Sequence, residues 1–174
     1  MNEEEKKIGY ALQPIAEGSV ISNSVICNLP INNHLFFILA KRNELVFFEI
    51  TEKGINPLFK IPFTKTITSL RVMTAKSLGR QYDLILCFFH DYSFIAFSNP
   101  YKIEFKYQPP TFFSNSKFIC EIHNKNPILF IYNKPGQISY WNPIKDPKKI
   151  YNIHCPDETI IDFKFLPHQT IRLA

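Results

Sequence analysis

The sequence of 174 residues is poor in glycine and alanine, with five residues of the first kind and six of the second. Because a phosphate-binding loop needs several glycines close together, this scarcity excludes a P-loop built from neighbouring residues. The 24 isoleucines and 17 phenylalanines favour strands, since β-branched and aromatic side chains lose side-chain freedom in a helix. A hydrophobic content of 45% excludes a disordered chain. The composition therefore predicts an all-β protein with a packed core.

Catalytic and metal-binding motifs are also missing, including Gly-x-Ser-x-Gly and His-Glu-x-x-His. His90 and Asp91 could form half of a catalytic dyad, but we expect a hairpin turn in which the Asp side chain accepts hydrogen bonds from nearby backbone. A zinc site from His154, Cys155 and a distant cysteine is conceivable, although adjacent ligands are poorly placed for one ion. We therefore predict no catalytic residue, no metal, no cofactor and no enzyme activity. The histidines stand singly and are expected in surface or capping roles: His34, His90, His123, His154 and His168.

No apolar stretch approaches the roughly 20 residues that a membrane-spanning helix needs. The first seven residues include three glutamates followed by two lysines, the reverse of a signal peptide, and the chain has no Asn-x-Ser/Thr sequon. There is no Cys-x-x-Cys pair either, and each cysteine lies in or beside an apolar run, so we expect buried free thiols in a reducing compartment. These features predict an intracellular protein that does not enter a membrane. The cysteines are Cys27, Cys87, Cys120 and Cys155.

The chain carries a formal net charge of +5, with a pI near 9.0. The basic pairs at 6–7, 41–42 and 148–149 are far apart and interleaved with acidic residues, which indicates a solvated surface rather than a nucleic-acid patch. Only residues 102–107 alternate basic with aromatic side chains, and that alternation places the two kinds on opposite faces, which does not suit base stacking. We expect the 26 aromatic residues mainly in the core. Direct nucleic-acid binding is therefore an alternative that rests on the net charge.

A strand–turn–strand pattern recurs along the chain. It begins at residues 35, 82 and 127, and its start is visible again at 169, so the starts are 47, 45 and 42 residues apart. Repeats of about 40–50 residues that contain three or four short strands are typical of β-propeller blades. The pattern predicts an all-β partial propeller of about three blades plus the start of a fourth. A β-sandwich with long hairpins is the alternative fold.

The hydrophobic patterns within these units favour stacked sheets. Residues 35–40 and 84–89 are apolar on both faces, as in strands that other sheets cover on each side. Residues 102–107 and 162–165 alternate, so one face of each strand should meet water. We expect no helix, because the Thr and Val content of residues 66–76 favours a strand. We expect the prolines in turns between strands, at Pro57, Pro62, Pro109, Pro110, Pro143 and Pro147.

Four segments resemble one family of propeller proteins. Residues 37–57, FILAKRNELVFFEITEKGINP, contain an apolar strand ending in Ala-Lys, a short turn, a second strand and then Gly-x-x-Pro. They are similar to the first blade of the DNA damage-binding protein 1 family. Residues 10–14 resemble that family's first strand, residues 83–86 its second blade, and residues 160–166 the strand that closes its third. The family includes the large subunit of the cleavage and polyadenylation specificity factor and subunit 3 of splicing factor 3b, and the first segment favours the damage-binding branch.

The resemblance implies a non-enzymatic scaffold with protein partners and no small-molecule substrate. In the damage-binding branch those partners are cullin-type ubiquitin ligase components and substrate receptors, with links to DNA repair; in the other branches they are RNA-processing factors. The resemblance implies a nuclear protein with a cytoplasmic fraction, and it carries no partner-binding residue onto this chain. Residues 1–9 are then a charged tail and residues 10–174 an incomplete N-terminal propeller. Because an open propeller leaves apolar faces and a strand edge uncovered, we expect a longer protein or a covering partner.

Overall fold

A computed structural model describes residues 20–31, 34–108, 117–123, 126–134 and 136–154. Within these residues the protein is all-β, as predicted, and forms three four-stranded antiparallel sheets. Each sheet is a meander in which strands that follow one another in the chain are neighbours. The first sheet contains β1 (Ile21–Asn28), β2 (Leu35–Lys41), β3 (Glu44–Thr51) and β4 (Gly54–Pro62). The second contains β5 (Ile67–Met73), β6 (Leu84–Phe89), β7 (Phe94–Phe97) and β8 (Phe105–Tyr107). The third contains β9 (Lys117–His123), β10 (Asn126–Lys134), β11 (Gln137–Trp141) and β12 (Ile150–His154).

The strand–turn–strand repeat is confirmed at its first three positions. In each sheet the two middle strands form the repeated hairpin, namely β2 with β3, β6 with β7, and β10 with β11. The fourth start at residue 169 lies outside the described residues. So do the predicted tail at 1–9, the segments at 10–14 and 160–166, and the proline pair at 109–110.

The three sheets share two apolar cores. Side chains from the first and second sheets, such as Phe47 and Cys87, pack into one cluster, and side chains from the second and third, such as Phe94 and Trp141, pack into another. The second sheet therefore has a buried face on each side. Every residue of β6 is buried, which confirms the prediction that residues 84–89 are covered on both faces.

The face of the first sheet that turns away from the second sheet is also apolar. Leu39, Val46 and Phe48 form a buried cluster there. Ile26 pairs with Phe37 on the same face and is 59% exposed. Apolar residues thus continue across this face from its covered centre to its exposed rim.

Two prolines were predicted in turns but lie in a strand. Pro57 and Pro62 belong to β4, which is the edge strand of the first sheet. The register of β4 shifts at Pro57, where Phe48 pairs with Pro57 and Phe47 pairs with Phe59. An edge strand with a bulge tolerates a residue that lacks a backbone N–H. The prediction of turns at these two prolines was therefore wrong because it did not allow for an edge strand. Pro143 and Pro147 do lie in a turn, between β11 and β12.

Two predicted segments differ from the structure in detail. Residues 67–73 are a strand as expected, but a single helical turn, α1 (Ala75–Leu78), follows and ends at Gly79 with a φ of 62°. The strand expected over residues 102–107 begins only at Phe105. A turn precedes it, in which the Asn99 side chain accepts a hydrogen bond from the Tyr101 N–H at 2.9 Å, and this leaves Ile103 exposed.

Candidate interaction site

A cleft of about 370 Å³ opens between the second and third sheets. Its apolar floor includes Leu84 and Ala96 of the second sheet and Trp141 of the third, all of which are buried. Phe105 stacks on Trp141 with ring centroids 4.6 Å apart and an interplanar angle of 16°. The Trp141 indole N–H donates a hydrogen bond to the Pro147 carbonyl at 3.2 Å. The strand β11 and the turn after it therefore hold the indole in one orientation.

The rim of the cleft is mainly cationic. Arg80, Lys102 and Lys148 line it, together with one carboxylate, that of Glu104. Arg80 Nη1 donates to Glu104 Oε2 at 2.8 Å, so this cation and this anion neutralise each other. Both lysines are exposed, and no carboxylate in the described part of the chain forms an ion pair with either. Among the residues that the structure describes, the cleft therefore has two positive charges without a paired carboxylate.

Glu104 is fixed as an anion by its neighbours. Its Oε1 accepts hydrogen bonds from the backbone N–H of Ser98, at 2.9 Å, and from the Ser98 hydroxyl. Burial alone would raise the pKa of Glu104, but the hydrogen bonds from Ser98 and Arg80 and the Arg80 charge outweigh it and lower the pKa. Glu104 is therefore ionised at neutral pH and tied to the loop that precedes β8.

A second charged cluster lies at the hairpin turn between β6 and β7. Lys65, from the connection between β4 and β5, has its Nζ 2.6 Å from Asp91 Oδ2 and donates to the Ser93 hydroxyl at 3.0 Å and to Gln108 Oε1 at 2.8 Å. Asp91 Oδ1 also accepts the backbone N–H of Ser93 at 3.1 Å. The predicted turn is therefore confirmed, and its carboxylate belongs to an ion pair that joins the connection to the second sheet. Lys65 and Ser93 also line a cavity of about 150 Å³.

The pKa of Asp91 follows from these contacts. Burial by itself raises it, but hydrogen bonds from Lys65 and Ser93, together with the Lys65 charge, leave it well below the usual carboxyl range. His90, beside it, is exposed and donates its backbone N–H to the Thr66 carbonyl at 3.0 Å. The Asp91 carboxylate is directed at Lys65 and Ser93, so the pair is organised as a structural turn.

Two of the four cysteines are described with their side chains, and both are buried free thiols as predicted. Burial raises the pKa of each thiol to about 12, and the nearby Asp83 charge adds to the effect at Cys27. Such thiols are almost fully protonated at neutral pH and react slowly as nucleophiles. Cys155, considered as a zinc ligand beside His154, lies outside the described residues. Within those residues no three His, Cys, Asp or Glu side chains are grouped closely enough to hold a metal ion.

The aromatic and basic residues of β8 lie on opposite faces, as predicted. Phe105 and Tyr107 pack toward Phe94, with ring centroids 5.7 and 5.5 Å apart, whereas Lys106 is exposed. The aromatic rings of this strand therefore belong to the core. In the part of the chain that the structure describes, no helix has the length and apolar character needed to cross a bilayer.

The sequence predicted no site residues, and the cleft was missed because its lining comes from three separated segments, 80–84, 96–105 and 141–148. The one signal available was that the only tryptophan of the chain, Trp141, ends an apolar strand just before a turn rich in lysine and proline. A scan against protein-family models and a search of curated proteins found no match for this chain.

Proposed function

We propose that this protein is a non-enzymatic interaction scaffold, built as three blades of an open β-propeller and the start of a fourth. The observation that carries the proposal is the stack of three four-stranded meanders joined face to face by shared apolar cores. Four-stranded antiparallel sheets repeated about every 45 residues are the unit of a propeller. A stack of this kind presents loops and inter-sheet clefts on a rigid frame, which is what a docking platform requires.

The contacts between consecutive sheets favour blades over the layers of a sandwich. β1 and β5, the first strands of the first and second sheets, lie against each other, as the innermost strands of neighbouring blades do. The connection from β4 to β5 is short and returns to the first sheet, where Phe63 and Ile67 donate backbone hydrogen bonds to Asn43 and Arg42, both at 2.7 Å. The chain thus passes from the outer edge of one sheet to the beginning of the next.

The resemblance to the DNA damage-binding protein 1 family points to the class of partner. Residues 37–57, which carry most of it, form β2, β3 and the start of β4. We therefore propose cullin-type ubiquitin ligase components or substrate receptors as partners, in the nucleus, with the cytoplasm as an additional location. The alternative within the same fold is a scaffold of messenger-RNA 3′-end processing or splicing.

Affinity capture from nuclear extract tests this proposal. The tagged protein is expected to retain cullin-ligase components when beads carrying the tag alone do not. Recovery of splicing or polyadenylation factors without any cullin would reject the damage-binding branch and support the RNA-processing branch. Recovery of neither class would reject the scaffold proposal.

Direct nucleic-acid binding is a second candidate function, favoured by the net charge of +5 and the unpaired lysines of the cleft. A filter-binding titration with single- and double-stranded oligonucleotides at increasing salt separates it from the scaffold. Binding through phosphates weakens steeply as salt rises, because bound counterions are released. We expect no binding at physiological salt, and tight, salt-sensitive binding would favour the nucleic-acid function instead.

A further inference from the structure

We propose that the cleft between the second and third sheets binds an acidic peptide segment of a protein partner, with one apolar side chain against its accessible apolar lining and flanking carboxylates on the rim. This inference rests on the proposed scaffold function and adds to it a site and a chemistry of recognition. It concerns a surface formed only when these two sheets pack together.

The shape of the cleft suits a short peptide. Its volume of about 370 Å³ lies in the range of cavities that accept drug-sized ligands, so a few residues fill it. The buried floor is fixed, since Trp141 is held by its stacking on Phe105 and by its hydrogen bond to the Pro147 carbonyl. The half-buried Phe105 and the exposed Pro147 supply apolar lining that a ligand can reach. Ile103, on the rim, is 53% exposed and extends the apolar surface outward. An apolar lining that rests on a fixed floor provides an anchor site whose ordering cost is already met in the free protein.

The charge of the cleft selects an anionic partner. Lys102 and Lys148 line it without an acidic partner among the described residues, whereas Glu104 is engaged by Arg80 and Ser98. The turn that contributes Lys148 carries two further exposed lysines, Lys145 and Lys149. Its one acidic residue, Asp146, accepts a hydrogen bond from the Tyr151 hydroxyl at 2.7 Å. The two lysines that line this cleft are complementary to Asp or Glu side chains next to an apolar anchor.

The geometry favours a peptide over a nucleic acid. Binding of single strands depends on aromatic faces that are open to bases. Here the Trp141 ring is 1% exposed and one face is covered by Phe105, so neither ring offers a stacking platform.

Selection from a random peptide display library on the whole protein, followed by titration of the recovered peptides, tests the proposal. Trp141 is the only tryptophan, so its fluorescence reports directly on the floor of the cleft. We expect acidic peptides with an apolar residue, a change in Trp141 emission on binding, and about tenfold weaker binding in a Lys102→Glu/Lys148→Glu double variant. A matched Lys53→Glu/Lys60→Glu variant changes the net charge equally on the first sheet and is expected to bind like the unaltered protein.

Recovered peptides without acidic character, or equal weakening by both double variants, would overturn the proposal. So would an oligonucleotide that binds in the cleft more tightly than the peptides. The capture experiment distinguishes this inference from the scaffold function. If the cleft variant still retains its partners from nuclear extract as the unaltered protein does, the cleft proposal fails and the scaffold stands. If the unaltered protein retains no partner but binds acidic peptides over Trp141, the scaffold proposal fails and the cleft stands.

Discussion

The first and second sheets meet across an interface packed with apolar side chains from both, with a cavity of about 150 Å³ beside Lys65, whereas the second and third sheets leave a larger cleft of about 370 Å³. Two hydrogen bonds also cross the first interface: the Asp83 backbone N–H donates to the Asn28 carbonyl at 3.0 Å, and the Asn28 backbone N–H donates to the Asp83 carboxylate at 2.8 Å. Across the second interface, the third sheet contributes the buried side chains of Trp141 and Leu129 to the apolar cluster that it shares with the second sheet.

This difference separates residues that stabilise the stack from residues that are free to bind. At the first interface the polar groups pair with one another, as Lys65 does with Asp91 and Asn28 does with Asp83. At the second, Lys102 and Lys148 line an open space without such partners among the described residues. We therefore expect substitutions at the first interface and under the cleft to change stability, and substitutions on the cleft rim to change binding.

The largest expected effect comes from the floor of the cleft. Trp141→Ala removes a side chain that is 1% exposed, stacked on Phe105 and in contact with Phe94. Loss of so large a buried aromatic group should reduce the free energy of unfolding by about 3–5 kcal/mol. Urea denaturation followed by circular dichroism measures it, since the variant has no tryptophan left to report by fluorescence.

Two further variants test whether the stability lost in Trp141→Ala comes from the buried position of this side chain in the second interface. Tyr101→Ala, which removes a ring that is 77% exposed, should cost less than about 1 kcal/mol although it also loses a stacking contact, with Phe59. Trp141→Phe keeps an aromatic ring, so it should fold, with a free energy of unfolding between those of the unaltered protein and Trp141→Ala. A cost below about 1 kcal/mol for Trp141→Ala would show that the second interface does not depend on this residue.

The next largest effect should come from Asp83, which ties the first sheet to the second. Its carboxylate accepts the Asn28 N–H at 2.8 Å and the Ala75 N–H at the start of α1 at 2.5 Å. Asp83→Ala leaves two partly buried N–H groups without an acceptor and should cost about 2–3 kcal/mol. Asp83→Asn keeps one acceptor oxygen and should recover part of the loss. Equal stability of the Ala and Asn variants in urea would contradict the hydrogen-bond explanation.

A smaller, pH-dependent effect is expected from the Lys65–Asp91 pair. Because the folded pKa of Asp91 lies below that of an unfolded carboxyl, about 3.9, its contribution is fully present above roughly pH 5 and is lost as the pH falls through the folded pKa. Asp91→Asn should therefore cost about 1 kcal/mol at pH 7, limited by the partial exposure of the pair, and the difference from the unaltered protein should shrink below about pH 4. Thermal melts between about pH 2 and pH 8 measure this, because that range brackets the pKa of an unfolded carboxyl. A stability difference that stays constant with pH would contradict the ion pair.

Much of the fold was predictable because it depends on short-range patterns. The apolar residues of 84–89 indicated a strand covered on both faces, and the spacing of the hairpins indicated three similar units. The mispredicted prolines lie on an edge strand of the first sheet. Pro57 lies in β4 because that strand has a free side and a register shift, and neither property is visible in the strand's own sequence.

The cleft could not be predicted, for a related reason. Arg80 and Glu104 come together only because the second sheet folds back on itself, and Trp141 reaches them only when the third sheet packs against the second. Local sequence did identify what lies within one turn, as at Asp91 and Ser93. Pairing within a turn is set by neighbouring residues, whereas a site between sheets is set by packing over long separations.

The smallest effect, and the one that most sharpens the comparison, concerns the rim of the cleft. The Lys102→Glu/Lys148→Glu double variant should change the free energy of unfolding by no more than about 0.5 kcal/mol, because both lysines are exposed and neither is paired with a described carboxylate. Lys65→Glu, placed beside Asp91, is the informative contrast, since it replaces an attractive contact at 2.6 Å with repulsion and should cost more than the double variant. Urea denaturation of the two variants side by side measures the difference.

If the rim variant were the less stable of the two, the lysines would contribute to the stability of the stacked sheets, and the division between a stabilising interface and a binding cleft would be wrong. If it keeps its stability and loses acidic peptides, the same two side chains are required for recognition and dispensable for folding.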